Sequence, residues 1–314
     1  MPNPLISVVS PEYKGEKMVR ELVSRIFGSI RPVTEDFEII LVNDCSPDDT
    51  WIEICRECAK DKRVKGINLS RNFGQHYAIS AGIAHASGDW VIVMDCDLQD
   101  DPAAIPELFR VATSGYDYVQ VRRINKKFGF WKRMTSNLFH KLFDWLSGAK
   151  TDAAIGNYGI FSRQVISEIN RMPERFRSFG GLLRYVGYKG TVIDVEHSSR
   201  AEGTSSYTLS KLMRLAFDVI IADSNKPLKI AVKLGFAISG LSFLLALYNI
   251  IARITGIITL QGFTTTVFSI WFVGGLILLI LGIIGLYLGR VFDQVKGRQL
   301  FIIRETVNFD RNDA

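Results

Sequence analysis

The chain has 314 residues, of which 47% are hydrophobic and 22% are charged. This length suits two structural regions rather than one core, and a mean hydropathy of +0.14 argues against a fully soluble protein and indicates a membrane-embedded part. The net charge of +6 is typical both of loops that orient a membrane protein and of surfaces that attract anionic lipid or phosphate.

The first hundred residues alternate short apolar strands with helical patterns. The pattern predicts strands at 5–10, 37–44, 64–70 and 90–97, and helices at about 15–30, 48–60 and 74–86. Short β-branched strands that alternate with helices form parallel sheets whose two faces are covered. We therefore expect an α/β, Rossmann-like domain with a mainly parallel sheet that binds a nucleotide.

The next segment, residues 125–148, interleaves cations with aromatic and aliphatic side chains, and Phe130, Met134 and Leu138 recur at helical spacing. It is either a helix of the soluble core or one that lies in the membrane interface. The membrane spans that follow favour an interfacial helix at about 128–147, with membrane lipid as its partner. The membrane also explains the interleaved cations, so we expect no nucleic acid partner.

Two uncharged segments near the C-terminal end predict membrane spans. No charged residue occurs between Lys233 and Arg253 or between Arg253 and Arg290. About 20 consecutive apolar residues are long enough to cross a bilayer as a helix. We predict transmembrane helices at about 232–252 and 267–289.

The distribution of Lys and Arg around these spans predicts their orientation. Several cations precede the first span and follow the second, whereas the loop between them holds only Arg253. Because cations concentrate in cytoplasmic loops, both termini should be cytoplasmic. The chain then divides into a cytoplasmic domain (1–225), two transmembrane helices (226–292) and a cytoplasmic tail (293–314).

Polar side chains fall where the predicted strands end. In open α/β sheets the ligand crevice lies at the carboxyl ends of the strands. Four strands would thus deliver polar groups to one edge, which favours a binding site over ordinary loop residues. These strand-end residues are Pro11, Tyr13, Asp44, Arg71 and Asp95.

The densest acidic stretch is "VIVMDCDLQDDP", residues 91–102. Along an extended chain, Asp95, Asp97 and Gln99 would share one side, and their carboxylates would repel one another. Hard oxygen ligands suit Mg²⁺ or Mn²⁺, and such a cation would remove the repulsion and hold a diphosphate. We expect Asp100 and Asp101 to cap the next helix instead.

Several motifs together resemble family 2 glycosyltransferases with the GT-A fold. Within that family the sequence is most similar to bacterial polyprenyl-phosphate glycosyltransferases, relatives of dolichol-phosphate mannose synthase. The resemblance implies inverting transfer of one sugar from a nucleotide-sugar, with UDP expected, to polyprenyl phosphate at the cytoplasmic face of the bacterial inner membrane. The motifs are "ISVVSPEY", "VNDCSPDDT", "LSRNFGQHYAISAGI", "DCDLQDDP", "HSSRAEGTSSY", "SNKPLK" and "GRVFDQVKGRQLFIIRE".

The resemblance also implies roles for the residues that bind the nucleotide. Pro11, Tyr13 and Asp44 would hold the nucleoside, with Asp44 accepting a hydrogen bond from the base. Arg71 would lie near the sugar-nucleotide. Further partners on this view are a second copy of the chain, to which the tail would dock, and a separate flippase.

The catalytic residues implied by the resemblance are Asp95, Asp97, Asn157 and Arg200. Asp95 and Asp97, with Gln99, would contact the ribose and a Mg²⁺ or Mn²⁺ ion that binds both phosphates. Arg200 would face the phosphates of the donor or the acceptor.

The sequence departs from the family pattern in its first loop and in a basic motif. Lys14 and Gly15 stand where relatives have Asn-Glu, which changes the contacts of the first loop. Ser206 replaces a lysine that would face a phosphate, unless Lys211 takes its place.

A third departure is Asn157, which stands where many relatives have a candidate catalytic Asp. Because a lipid monophosphate is largely ionised at neutral pH, its oxygen can attack without a strong base, and Asn157 would orient a substrate group. Alternatively Asp152 takes over the role of base, or the chain is catalytically weak. A processive polysaccharide synthase and a non-catalytic scaffold are the other readings, although the Gln-x-x-Arg-Trp signature of such synthases is absent.

Overall fold

The computed structural model describes residues 5–124, 146, 154–175, 177–196, 221, 224–255 and 262–309. These residues divide into two compact units. The first takes in those within Met1–Phe130, Asp152–Ser206 and Arg298–Ala314, and the second those within Trp131–Thr151 and Tyr207–Gly297. The predicted interfacial helix lies outside the described residues except for Leu146.

The first unit is built on a single sheet. In the described residues its strands are β1 (Ile6–Glu12), β2 (Phe37–Asn43), β3 (Val64–Leu69), β4 (Trp90–Val93), β5 (Tyr118–Ile124), β6 (Ile155–Ser162), β7 (Gly190–Glu196) and β8 (Ile303–Val307). Their order is β7-β5-β6-β4-β1-β2-β3-β8. The pairs β1–β2, β1–β4, β2–β3 and β5–β7 are parallel, and β4–β6, β5–β6 and β3–β8 are antiparallel. The predicted mainly parallel α/β sheet is confirmed.

The central strands are rich in β-branched and other apolar residues, with a few buried polar side chains among them. Every residue of β1 and β2 is buried, as expected for parallel strands that are covered on both faces. The prediction was wrong for the end of β4, which stops at Val93 rather than at residue 97. The chain turns there, and Leu98 adopts a left-handed backbone with φ 58°. The sequence pattern also missed β5 to β8.

Helices cover both faces of this sheet. They are α1 (Val19–Ile30), α2 (Thr50–Lys60), α3 (Gln75–Ala84), α4 (Ile105–Ala112), α5 (Arg163–Arg171) and α6 (Phe179–Val186). Leu22, Ile54 and Leu108 bring α1, α2 and α4 into one core cluster, and α3, α5 and α6 contribute to the other. A Cβ at Gly82 of α3 would overlap Val9, so glycine is required where this helix approaches β1.

The C-terminal tail completes the edge of the sheet. β8 pairs antiparallel with β3, and the Asn308 side chain donates to the backbone oxygens of Cys58 and Val64 at 2.8 and 2.7 Å. The Asn68 side chain donates to Glu305 Oε1 at 2.8 Å. The described residues after Gly297, 298–309, therefore belong to the first unit.

The second unit contains two long apolar helices, α7 (Lys226–Ile254) and α8 (Phe263–Val295). Both are long and apolar enough to cross a membrane, with candidate spans at Lys226–Leu244 and Ser269–Val295. Only 6% and 0% of these spans are buried, whereas a helix in a soluble core would be mostly covered. Large apolar surfaces without a protein cover are typical of contact with lipid. The predicted helices at 232–252 and 267–289 fall within α7 and α8.

Candidate functional site

Three loops meet the carboxyl edge of the sheet with unusual backbone geometry. Lys14 follows β1, Cys45 follows β2 and Leu98 follows β4, and each has a positive φ, of 57°, 49° and 58° respectively. Such left-handed conformations are rare for residues other than glycine, and they cluster at binding and catalytic sites. The strand ends thus carry the geometry expected of a functional edge.

These loops enclose a cleft of about 330 Å³, within the size range of small-molecule sites. The structure therefore brings together five of the residues predicted from sequence: Pro11, Tyr13, Asp44, Asp95 and Asp97. The remaining lining residues are Glu12, Asn72, Gly74, Gln75 and Cys96. Three predicted residues that the structure describes, Gln99, Arg71 and Asn157, are not in this lining.

Asp44 fixes the loop that follows β3. Its Oδ1 accepts from the amide of Phe73 at 2.7 Å and its Oδ2 accepts from the amide of Gly74 at 2.8 Å. Burial raises the pKa of Asp44, while these two amides work against the rise. Asp44 therefore holds the loop after β3 against the cleft through these two hydrogen bonds. Its predicted contact with the base of the nucleotide stays a prediction.

Asp95 is the most perturbed of the predicted acids. Burial, with the charge of Asp100, raises its pKa to about 7. The charge of Arg123, whose Nη2 lies 3.6 Å from Asp95 Oδ2, lowers the pKa of Asp95 and so opposes this rise. Gln75 Nε2 donates to Asp95 Oδ1 at 2.7 Å. Burial and neighbouring acids make Asp95 costly to ionise, and a bound cation would stabilise its ionised form.

Asp100 and Asp101 differ in role, although both were expected to be helix caps. Asp101 accepts from the amide of Ala103 at 3.0 Å, so the prediction for Asp101 is confirmed. For Asp100 the prediction was wrong. Asp100 is 2% exposed; its Oδ2 accepts from the Asp95 amide at 3.1 Å, and its Oδ1 accepts from Arg123 Nη2 at 2.6 Å.

The arrangement of Asp97 and Gln99 differs from the extended geometry assumed from sequence. The amide of Gln99 donates to Asp97 Oδ1 at 3.1 Å, which closes a tight turn around Leu98. Alternation along a strand therefore does not place Gln99 beside Asp95 and Asp97. Gln99 does not line the cleft with these two acids, and its role as a third metal ligand stays a prediction.

Two acids of the cleft, Asp95 and Asp97, nevertheless fit a divalent cation. The described residues contain no group of three or more His, Cys, Asp or Glu side chains that could hold a metal. Mg²⁺ is commonly held by one or two carboxylates together with substrate phosphates and water. Asp95 and Asp97 line the same cleft and supply hard oxygen donors. A cation there would be held jointly by these two carboxylates and by the phosphates of a bound substrate.

Arg71 and Asn157 lie near the cleft without lining it. Arg71 stacks on the Phe73 ring at 4.5 Å, in the loop that Asp44 holds. β6 runs antiparallel to β4 with Gly159 opposite Val93, and Asn157 therefore extends past the end of β4 toward the edge that carries Asp95. The two basic candidates, Arg200 and Lys211, and also Asp152 and Ser206, lie outside the described residues.

Sequence reasoning missed Arg123 and Glu12. Arg123 belongs to β5 and has no motif around it. Glu12 ends β1 with no exposed surface, and burial raises its pKa to about 8. The signal for Glu12 was available, since it is a charged residue in an otherwise buried strand, whereas the position of Arg123 depends on how β5 lies in the sheet.

Known proteins show which family this sequence resembles. Residues 7–169 match the family described as Glycosyl transferase family 2. The chain is 33% identical over 304 residues to the SfII prophage-derived bactoprenol glucosyl transferase of Shigella flexneri, covering 96% of this chain and 98% of that one. It is 32% identical over 310 residues to the undecaprenyl-phosphate 4-deoxy-4-formamido-L-arabinose transferase of Proteus mirabilis, covering 96% and 94%.

A solved structure extends the comparison to the fold. Glucosyl-3-phosphoglycerate synthase from Mycobacterium tuberculosis, in complex with Mn²⁺, UDP and phosphoglyceric acid, is similar with a TM-score of 0.52. The match covers 70% of this chain and 77% of that chain at 18% identity. The described fold is therefore the GT-A fold.

Proposed function

The chain belongs to glycosyltransferase family 2, and on this premise we propose that it transfers one sugar from a UDP-sugar to undecaprenyl phosphate. The product is a lipid-linked sugar for the modification of a cell-surface glycan or glycolipid. One observation carries the proposal: Asp44, Asp95 and Asp97, from the ends of two parallel strands, line one cleft of nucleotide size. The names of the two relatives, which specify bactoprenol and undecaprenyl phosphate, support the acceptor.

The donor would bind with its nucleoside against the loops after β1 and β2. Asp95 and Asp97 would hold a Mg²⁺ or Mn²⁺ ion, which supplies charge neutralisation for the departing diphosphate when it is bound. The protein's part is to hold Asp95 in place. Gln75 fixes one of its oxygens, and Asp100 fixes its backbone amide.

The acceptor phosphate would act as its own nucleophile. One phosphate oxygen attacks the anomeric carbon, the bond from that carbon to the diphosphate oxygen breaks, and the configuration inverts. Because a phosphate monoester is largely ionised at pH 7, positioning is the main demand on the protein. Asn157, at the same sheet edge as Asp95, would orient a substrate group, and Arg200 would face a phosphate.

The chain path supports a location at the cytoplasmic face of the bacterial inner membrane. The chain leaves the first unit before α7 and returns to it at Arg298 after α8. A folded unit occupies one side of a membrane, so the number of crossings between these points is even, which suits two spans. The cations that flank both spans favour the cytoplasmic side.

The proposed partners include other copies of this chain and a flippase that moves the product. The tail was expected to dock on a neighbouring subunit, but β8 is used within its own chain. The oligomer and the flippase both remain predictions.

Transfer assays test the proposal directly. The full chain, purified in detergent, is incubated with undecaprenyl phosphate, Mn²⁺ and a panel of radiolabelled UDP-sugars. The expected result is one sugar added per lipid, from one member of the panel. A polymer would identify a processive synthase instead, and the absence of any transfer, with UDP still bound, would favour a scaffold.

A further inference from the structure

A series of side-chain hydrogen bonds runs from β8 through β3 and β2 to the loop that follows β2. Asn68 of β3 donates from Nδ2 to Glu305 Oε1 of β8 at 2.8 Å. Asn68 Oδ1 accepts from Asn43 Nδ2 of β2 at 2.9 Å, and Asn43 Oδ1 accepts from the amide of Ser46 at 3.1 Å. Asn43 and Asn68 are both buried. A polar connection thus links the C-terminal strand to a loop at the carboxyl edge of the sheet.

The two ends of this series fix the orientation of both amide side chains. The backbone N–H of Ser46 can only donate a hydrogen bond, and the carboxylate of Glu305 can only accept one. Asn43 and Asn68 therefore satisfy their neighbours in a single orientation, with each carbonyl oxygen facing the preceding donor. Hydrogen bonds in such a series strengthen one another, and a buried amide that loses its partner is costly. Loss of the Glu305 carboxylate would therefore loosen the contact at Ser46.

Ser46 holds together the loops that follow β1 and β2. Its Oγ accepts from the amide of Lys14 at 2.7 Å. Lys14 and Cys45 both have a positive φ, a costly conformation that persists only where the surrounding contacts impose it. Tyr13 and Asp44, which directly precede these two residues, line the cleft. The position of Ser46 therefore helps to set the shape of this side of the cleft.

The register of β8 brings Glu305 to the start of this series. Glu305 lies opposite Asn68 in the antiparallel pair of β8 and β3, and opposite residues of such a pair have neighbouring side chains. The register shifts directly after this pair, between Asn68 and Leu69. Irregularities of this kind re-aim side chains and are frequent next to active sites. The contact between Glu305 and Asn68 thus depends on how β8 docks on the sheet.

We propose that Glu305 is a positioning residue for the donor, and that β8, the strand after the second apolar helix, keeps the nucleoside side of the cleft in its binding geometry. Glu305 is not among the residues that line the cleft, and it acts through Asn68, Asn43 and Ser46. This inference rests on the proposed function, because the donor is the ligand that the cleft is proposed to bind. It gives the C-terminal strand a part in donor binding in addition to its place in the sheet.

Calorimetric titration of the full chain in detergent micelles with UDP and Mn²⁺ tests the proposal. Glu305→Ala removes the last acceptor of the series, and we expect UDP to bind about three- to tenfold more weakly, as for one net hydrogen bond. Glu305→Gln keeps an acceptor oxygen and should stay within about threefold of wild-type affinity. In transfer assays of Glu305→Ala, the donor KM should rise by the same factor as the dissociation constant while kcat is retained.

The matched control is Asn308→Ala, in the same C-terminal segment. It removes two hydrogen bonds from the Asn308 side chain to the backbone oxygens of Cys58 and Val64 but leaves the series intact, so it should bind UDP like wild type. Glu305 is exposed, so Glu305→Ala should fold, and its melting temperature should fall no further than that of Asn308→Ala. Equal weakening of UDP binding in the two variants would overturn the proposal, because general loosening of the segment would then explain both.

A double-mutant cycle tests the path through Ser46. Ser46→Ala removes the hydroxyl group that holds Lys14, so Glu305→Ala should weaken UDP binding little further in that background. The same factor in both backgrounds would contradict the proposed path, since independent sites are additive. Wild-type affinity for UDP in Glu305→Ala would overturn this inference alone. Failure of wild type to bind UDP would overturn the proposed function, and this inference with it.

Discussion

Arg123 donates from both Nε and Nη2 to the same oxygen of Asp100, at 3.2 and 2.6 Å. Burial lowers the pKa of Arg123, but Asp100, Asp95 and Asp97 outweigh it, and the net pKa is raised. Because Asp100 also accepts from the amide of Asp95, this pair connects β5 to the acids of the cleft. Arg123 therefore offsets the acidic charge that would otherwise accumulate beside Asp95, where we propose that a cation binds.

Arg123→Ala should destabilise the protein by about 3 kcal/mol, because it leaves the buried carboxylate of Asp100 without its partner. Transfer should fall at least tenfold as Asp95 becomes harder to ionise. Arg122→Ala is the matched control, since its ion pair with Asp194 has side chains 45% and 46% exposed, and such exposed pairs contribute little to stability. Denaturant unfolding measures both variants, and equal losses would contradict the role of the buried pair.

Asp97→Ala should abolish transfer and divalent-dependent UDP binding while the fold is retained. Asp97 lines the cleft with Asp95, and loss of one of two carboxylates leaves the cation poorly held. We expect at least a thousandfold loss of rate, about 4 kcal/mol, by radiolabel transfer. Asp101→Ala, which removes only a helix cap, should keep divalent-dependent binding. Full activity of wild type in excess EDTA would refute a metal site.

Stability should decrease with rising pH because of Glu12, and Asp95, whose pKa is raised to about 7, adds to the decrease. Its pKa is raised from 4.5 to about 8, so between these values the folded protein keeps a proton that the unfolded chain has lost. The stability that the folded protein owes to a protonated Glu12 is therefore fully present below about pH 4.5. It declines by roughly 1.4 kcal/mol per pH unit until Glu12 ionises near pH 8. Glu12→Gln should flatten this slope in metal-free urea titrations at several pH values. An unchanged slope would show that other groups dominate.

The sequence was sufficient to locate strands β1 to β4, apart from the end of β4, and the polar residues at their carboxyl ends, since such a strand places these residues at a known edge of the sheet. Pro11, Asp44 and Asp95 were found in this way. Local periodicity could not give Arg123, whose position depends on the placement of β5, 23 residues after Asp100. It also misplaced Gln99, because the extended geometry ends at Val93.

Topology can be checked with fusion reporters. Reporters at the N-terminus and after Ala314 should report cytoplasm, and one at Gln261, between α7 and α8, should report the opposite side. Two crossings, by α7 and α8, would return the chain to the side of the membrane that it left, and the cations that flank both helices favour the cytoplasm as that side. A periplasmic C-terminus would be incompatible with pairing of β8 and β3 in a cytoplasmic sheet.

Asn157 tests whether the reaction needs a base from the protein. If the acceptor phosphate is its own nucleophile, Asn157→Ala loses only one neutral hydrogen bond, roughly 0.5–1.5 kcal/mol, or about one order of magnitude in rate at most. Asn157→Asp should stay active, and wild-type activity should fall on the acid side near pH 6 as the lipid phosphate gains a proton. The measurement is the initial rate of transfer at saturating donor, with Asp152→Asn as the comparison. A loss of about a thousandfold in Asp152→Asn with folding intact, about 4 kcal/mol, would mean that Asp152 is a general base and that the substrate does not supply its own nucleophile.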